Sequence, residues 1–309
     1  MMTGNHRDST NGMDHLAFGR VSVFLGERNG KYPDGNQVLI KGTDTLAALD
    51  TPISSNSIGP LFDATELVVL GHAHEDHMAG LHRLPDAQVH VHQADLPAAR
   101  SWEGMAAAFG LSEACAIQQM LKRLQDEFFY APRPDALGYE DGASWDLGGS
   151  SIHAFHLPGH TAGHNVLLVE PEGVAFIGDI DLSSFGPYYG DASSNLADFR
   201  RSLQRLPQIP ARTWVTSHHR GVYTDRQRFL EDLQAFAAKI DERERRLLGW
   251  LQERPLNLAQ MVEKRLLYPT GFTGTWVTAA EARTLLQHLD ELQHGGQVQR
   301  DDQGLYHLG

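Results

Sequence analysis

His72, His74, Asp76 and His77 stand within a single stretch of six residues, 72–77. Neutral imidazoles and a carboxylate are ligands that zinc, iron and manganese accept. A cluster this dense points to a metal centre rather than to a polar loop that happens to hold three histidines. The residues ahead of it say how it is held. Leu67, Val68, Val69 and Leu70 form an apolar run that ends at Gly71, and such a run reads as a buried strand. In an extended loop at the strand's end, His72 and His74, two residues apart, point to the same side. Met78-Ala79-Gly80-Leu81 then reads as the start of a helix.

The spacing H-x-H-x-D-H resembles the signature of the metallo-β-lactamase-fold hydrolases. That resemblance implies further ligands at strand ends downstream: a lone His, a bridging Asp and a last His. The chain supplies them in order. Pro158-Gly159-His160-Thr161-Ala162-Gly163-His164 resembles the second ligand motif and makes His160 the ligand, with Pro158 and Gly159 setting a tight turn. His164 reads as a hydrogen-bonding group behind the ligands or as a core residue. Val174-Ala175-Phe176-Ile177-Gly178-Asp179 is similar to the strand that ends in the bridging carboxylate, Asp179; Asp181, two residues on, is the alternative. Thr213-Trp214-Val215-Thr216-Ser217-His218 ends a strand in Ser-His and makes His218 the last ligand. His219 sits where the family usually has a small residue, and it is the alternative there. Asp50 resembles the family's Asp behind the metals; a turn-forming Asp is the plainer reading.

The resemblance implies an α/β fold, an αββα sandwich of two mixed sheets packed face to face with helices outside and the site at one edge. It implies two divalent metal ions, zinc first, with iron or manganese as alternatives. His72, His74 and His160 would hold one metal, and Asp76, His77 and His218 the other, with Asp179 between them. A metal lowers the pKa of its bound water from about 15.7 to about 7. Asp76 and Asp179 are then the catalytic carboxylates, Asp76 orienting the nucleophile or moving a proton. The expected reaction is hydrolysis of a carboxylic ester, lactone or thioester of small-molecule size. The alternatives are an endoribonuclease or phosphodiesterase of the same fold, a mononuclear iron persulfide dioxygenase, and a non-enzymatic metal-containing ligand sensor. The loop after Asp179 carries Phe185, Tyr188 and Tyr189. It offers an aromatic wall for the substrate, with phenols placed to donate to a carbonyl oxygen.

Charge bears on these alternatives. Lys and Arg number 26 against 39 Asp and Glu, a net charge of −13. That excess disfavours nucleic acid as a partner, because nucleic-acid binding relies on many cationic phosphate contacts. The lone cysteine, Cys115, excludes an intrachain disulfide and a cysteine zinc cluster, and it reads as a small core residue. Residues 1–11 are polar and lack an apolar signal core, and no apolar run approaches about 20 residues. The expected location is the cytoplasm, with no membrane partner.

The remaining elements frame these motifs. Residues 1–17 read as a loose tail. Strands are expected at 21–25, 37–40 and 45–49. His90 and His92 share one face of another strand and read as ordinary strand residues, since no Asp-His follows them. Residues 95–129 read as helical, with Ile117, Met120, Leu121 and Leu124 on one face. Asn195 is expected to cap a helix. A long amphipathic helix runs from 225 to 253, and Pro255 breaks it. We therefore expect a hydrolase domain at 1–254 and a small C-terminal winged-helix-like module at 255–309. The module comprises a helix, a second helix opened by a capping box at Thr278–Glu281, and a hairpin. Its cations are sparse, so its expected role is to pack on the core or to join two copies as a homodimer.

Overall fold

The computed structural model describes Arg7–Asp8 and residues 15–309. Two β-sheets face each other. The first contains β1 (Arg7–Asp8), β2 (His15–Phe18), β3 (Val21–Phe24), β4 (Gln37–Lys41), β5 (Leu46–Leu49), β6 (Leu67–Val69), β7 (Gln88–His92) and β8 (Leu137–Tyr139), in sequence order across the sheet. β1 to β5 pair antiparallel and β5 to β8 parallel. The second holds β9 (Ser144–Asp146), β10 (Ser151–His156), β11 (Asn165–Glu170), β12 (Val174–Phe176), β13 (Thr213–Val215) and β14 (Val222–Tyr223). Only β12 and β13 run parallel in that sheet. Both sheets are mixed, as expected.

Side-chain alternation explains why the central strands are apolar throughout. Val38, Ile40, Leu67 and Val69 meet Leu167, Val169 and Val215 between the sheets. Their neighbours Leu39, Val68 and Leu70 face outward, into a second core with Leu96, Met105, Leu124 and Phe128. A strand covered on both faces gains from apolar residues at every position. On the far side, Val166 and Leu168 pack with Leu196, Phe199, Phe229 and Phe236. Helices therefore cover both outer faces: α3 (Leu96–Arg100), α4 (Trp102–Phe109) and α5 (Ala114–Phe128) on one, α6 (Leu196–Arg205) and the first half of α7 (Arg226–Glu253) on the other. The single turns α1 (Glu27–Gly30) and α2 (Pro60–Asp63) lie in loops. No described helix is long and apolar enough to cross a membrane.

Several local expectations need correction. His15–Phe18 is a strand and pairs with Arg7–Asp8, where a loose tail was expected; the rest of that tail lies outside the described residues. The segment 95–129 is three helices. Ser101 ends one and caps the next by accepting from the Gly104 N–H, and Gly110 in the left-handed region stops the second. After the 3₁₀ turn Glu75–His77 there is only another short one, Leu81–Arg83, because the Gly80 N–H is drawn to the Thr51 carbonyl instead of into a helix. Cys115 is exposed. It stands off the apolar face on which Met120 and Leu124 are buried.

Beyond α7 the chain forms α8 (Leu258–Lys264), α9 (Val277–His294) and the hairpin β15 (Val298–Arg300) with β16 (Tyr306–Leu308). Leu256 adds an antiparallel bridge to Tyr306. Leu247 and Leu251 of α7 share one core with Met261, Leu285, Leu289 and Tyr306. The capping box lies at Asn257 and Gln260, opening α8, and not at Thr278. Glu281 is buried one turn inside α9 and accepts from the backbone N–H groups of Leu266, Leu267 and Tyr268. Glu281→Gln would set a side-chain NH2 against these donors. The expected cost is about 2 kcal/mol, the scale of a lost hydrogen bond to a charged group. A urea midpoint equal to that of the unaltered protein would contradict this account.

Candidate metal centre

The ligand-type residues converge where the ends of β5, β6, β10, β12 and β13 meet. β6 delivers Gly71, whose N–H donates to Asp50 Oδ1 at 2.6 Å; Asp50 closes β5 with a positive φ of 52°. The other oxygen of Asp50 receives Nδ1 of His77 at 2.6 Å. Both oxygens are thereby used, so Asp50 stands behind His77 as its orienting partner and is more than a turn residue. This fixes His77 with Nε2 pointing inward.

Two groups of ligand atoms form. His72 Nε2 and His160 Nε2 each lie 3.1 Å from His74 Nδ1, and Asp179 Oδ2 lies 3.2 Å from His160 Nε2. In the second group, His218 Nε2 lies 3.0 Å from Asp76 Oδ2, and His77 Nε2 lies 3.7 Å from the same oxygen. Asp179 spans both: its Oδ1 lies 3.1 Å from His77 Nε2 and 3.5 Å from His218 Nε2. His77 Nε2, His218 Nε2 and Asp179 Oδ1 are buried without an aligned hydrogen-bond partner. Buried polar atoms are rarely left so. Orphaned atoms that face one another across two sets of ligands fit divalent cations, and both sets have the composition such ions take.

The electrostatics agree with close-packed ligands. Burial alone would raise the Asp179 carboxyl, but His77, His218 and His160 hold it well below the usual carboxylate range. Burial pushes the His218 imidazole down, and the carboxylates of Asp179 and Asp76 more than reverse this, leaving it raised to about 9. Burial and the neighbouring His160 hold His164 down to about 3. It is therefore neutral, and its Nε2 accepts from the Asp179 N–H at 3.2 Å while Nδ1 donates to the Leu157 carbonyl at 3.0 Å.

Local backbone explains the aim of each group. Gly159 has φ of 133°, and a Cβ there would collide with the Phe199 backbone; only glycine lets the turn before His160 press onto α6. Gly178 has φ of 55° and a Cβ would meet His164 Nε2 at 2.5 Å. His218 donates Nδ1 to the carbonyl of Asp34 at 2.7 Å. His219 turns away, half-buried, towards Asp181 at 3.5 Å, so His218 is the member of the pair that joins the cluster. Asp181 likewise faces His219 and not the ligand groups.

The aromatic wall differs from expectation. Tyr189 is fully buried, and its hydroxyl pairs with His288 Nε2 of α9 at 2.9 Å. It faces the helices and not the cluster. Tyr188 does lie beside the site: its carbonyl is 3.1 Å from His160 Nδ1, and its hydroxyl donates to Asp191 Oδ1 at 3.0 Å. That bond uses the phenol's only proton, which is then not free for a substrate carbonyl. Phe185, 38% exposed, packs over the Arg243 guanidinium. Arg243 is buried in α7 and donates to the Phe185 and Pro187 carbonyls, which fixes the loop.

Two carboxylates important to the site escaped the sequence reading. Asp95, buried at the start of α3, accepts from the Ala73 N–H, the Thr161 hydroxyl and the Gly163 N–H. It ties the first ligand loop to the second. Asp191 lies 3.2 Å from His74 Nε2. An Asp set before a Leu-Pro helix start was the only available hint for the first, and nothing local marks the second.

Residues 66–218 match the family description "Metallo-beta-lactamase superfamily". The chain belongs to this superfamily of metal-dependent hydrolases. A metallo-beta-lactamase family protein from Thermus thermophilus superposes with a TM-score of 0.68 at 23% identity, over 93% of this chain and 98% of that one. A beta-lactamase domain protein from Burkholderia ambifaria gives 0.65 at 19% identity, over 96% and 94%. These two share the fold across the C-terminal helices as well. Among curated relatives, an acyl-coenzyme A thioesterase of Gallus gallus is 25% identical over 223 residues, 65% of this chain and 77% of the relative. An atrochrysone carboxyl ACP thioesterase of Pseudocercospora fijiensis (strain CIRAD86) is 29% identical over 122 residues, 40% of this chain and 34% of that protein.

Proposed function

We propose that this protein is a dinuclear metal hydrolase, with zinc as the favoured metal, that cleaves the thioester of a small acyl carrier. The observation that carries the dinuclear reading is the placement of Asp179, one oxygen beside His160 and the other beside His77 and His218. His72, His74 and His160 would hold one ion; Asp76, His77 and His218 would hold the other. Such ions supply a hydroxide nucleophile at neutral pH and positive charge for the developing oxyanion. The chain's own groups do the rest. Asp50 and the Asp34 carbonyl keep His77 and His218 in the tautomer that leaves Nε2 free. Asp76, the buried carboxylate of the second set, would orient the nucleophile and take its proton.

The choice of thioester over lactone or simple ester is supported by the two relatives named as thioesterases. Chemistry supports it too. A thiol with a pKa of about 8.5 leaves without a strong general acid, and no free tyrosine hydroxyl of the 185–189 loop is left to act as one. The test combines metal analysis of the purified protein with one panel: an acyl-CoA, a glutathione thioester, an acyl-homoserine lactone, a p-nitrophenyl ester, a phosphodiester, structured RNA, and glutathione persulfide with oxygen uptake followed. Turnover of a thioester at least tenfold above the lactone and ester, with two metals per chain, is the expected result. One metal per chain with oxygen uptake on persulfide, or activity on RNA alone, would replace it.

A further inference from the structure

Aromatic side chains lead away from the metal centre at two points. On one side the Tyr32 ring meets His218 edge-on, with centroids 6.0 Å apart. The Tyr32 hydroxyl lies 3.5 Å from Arg123 Nη2, and the Arg123 guanidinium lies over the Trp276 ring at 4.5 Å. On the other side the Tyr188 ring lies 5.9 Å from that of His160. In the same loop Phe185 lies 5.9 Å from Tyr268, which stacks on Phe272 at 5.1 Å. Phe272 meets Trp276 edge-on at 6.4 Å. The two paths therefore join at Trp276. They form a circuit of contacts that begins at one ligand set and ends at the other, and Asp179 spans both sets.

Much of this circuit is not buried in a core. Tyr32 is 42% exposed, Phe272 43% and Phe185 38%. Large aromatics left in water in one place mark a binding surface. Tyr268, Phe272 and Trp276 all come from the segment between α8 and α9, so the C-terminal module supplies the outer part of the circuit. That segment is anchored. The Glu281 carboxylate accepts from the Tyr268 N–H at 2.7 Å, and Trp276 Nε1 donates to the Tyr268 hydroxyl oxygen at 3.3 Å. Charge decides which part of a thioester such a surface suits. Arg123, the cation of the circuit, is paired with Glu127 at 2.9 Å, so it offers little net charge to a phosphate or carboxylate of the acyl carrier. What remains is ring surface, which gains from being covered by hydrocarbon.

We propose that residues 268–276 form the outer wall of the substrate site, with Phe272 as a specificity-determining residue, and that this wall selects thioesters whose acyl group is a medium-length hydrocarbon chain. The inference rests on the thioester reading above. Tyr268, Phe272 and Trp276 contact one another in succession. They make a run of ring surface longer than an acetyl group and able to line a longer chain. Each methylene laid against that surface leaves water and adds to the affinity.

The test uses the full chain, loaded with metal, and acetyl-CoA and decanoyl-CoA as probes. The kcat/KM for decanoyl-CoA is expected to exceed that for acetyl-CoA by roughly thirtyfold or more. Phe272→Ala should reduce this ratio roughly tenfold, the scale of losing one large apolar contact. Phe272→Leu, which restores hydrocarbon without the ring, should recover most of it. The thioether S-decyl-CoA, which has no thioester to hydrolyse, gives a reading independent of turnover: its Kd by calorimetry should rise roughly tenfold in Phe272→Ala. Leu308→Ala removes another exposed apolar side chain, on β16 and outside the circuit, and should change neither ratio nor Kd. A folded Phe272→Ala protein with the original ratio and Kd would overturn the proposal while leaving the thioester reading intact. Equal losses on acetyl-CoA and decanoyl-CoA would overturn it too, by setting the wall against the carrier instead of the acyl chain. Failure of the unaltered protein to hydrolyse either thioester would overturn the thioester reading and this inference with it.

Discussion

Replacing His160 with alanine is expected to lower turnover of the proposed thioester substrate by a thousandfold or more, about 4 kcal/mol of lost transition-state stabilisation. Two of its contacts make this the most damaging single change. Its Nε2 lies 3.1 Å from His74 Nδ1 and 3.2 Å from Asp179 Oδ2, so it closes the first ligand set against the shared carboxylate. Alanine there leaves two imidazoles and one oxygen facing an open side. Metal content should fall with activity in protein that is still folded by circular dichroism. His219→Ala is the matched control. His219 pairs with Asp181, outside both ligand groups, and its loss should leave turnover within about threefold, the margin of a residue without contact to the reacting atoms. Turnover above a tenth of normal in the His160 variant, with metal content unchanged, would remove His160 from the centre.

Asp95→Ala is expected to be the most destabilising change near the site, at about 3–5 kcal/mol, the range for leaving the partners of a buried charge unsatisfied. Its carboxylate accepts from the Ala73 N–H at 3.1 Å, the Thr161 hydroxyl at 2.7 Å and the Gly163 N–H at 2.8 Å. All three donors are buried and would lose their acceptor at once. Asp95→Asn keeps one acceptor oxygen and should cost about half as much. For Asp95→Ala the loss should appear in thermal unfolding as a drop of roughly 5–8 °C. Because Asp95 joins the loop of His72 and His74 to the loop of His160, metal affinity should fall along with stability. An Asp95→Ala protein as stable as the original would mean that the two loops hold each other by packing alone.

Asp95 also marks where the sequence stops being readable. The fold class, the ligand types and their order could be read because each is local. An apolar strand ending in Gly71 carries its own ligand-type residues, and so do the strands ending at Asp179 and His218, since a strand end and the residues after it leave the sheet together. The alternation that buries both faces of β6 is likewise written in consecutive residues. What holds these ends together was not readable. Asp95 bonds residues 22 and 68 positions away, and Asp191 reaches back to His74 from beyond β12 in the chain.

The same physical limit accounts for the errors. Tyr188 and Tyr189 are adjacent and chemically alike, and no pattern in sequence separates them. The structure does, because successive residues of an extended loop point to opposite sides. One side here faces His160 and the other faces Arg243 and His288. His218 and His219 were separated in the same way, by a positive φ of 64° at His219 that turns it to Asp181. Thr278–Glu281 matched a capping box in spacing, but a buried carboxylate is drawn to the largest set of unpaired donors. In the fold these were the N–H groups of residues 266–268 and not the start of its own helix. Sequence alone determined which residues could bind metal and in what order along the chain. Tertiary structure decided which of them meet, in which tautomer, and against which distant carboxylate, because those outcomes depend on contacts between segments whose separation in the chain leaves no local trace.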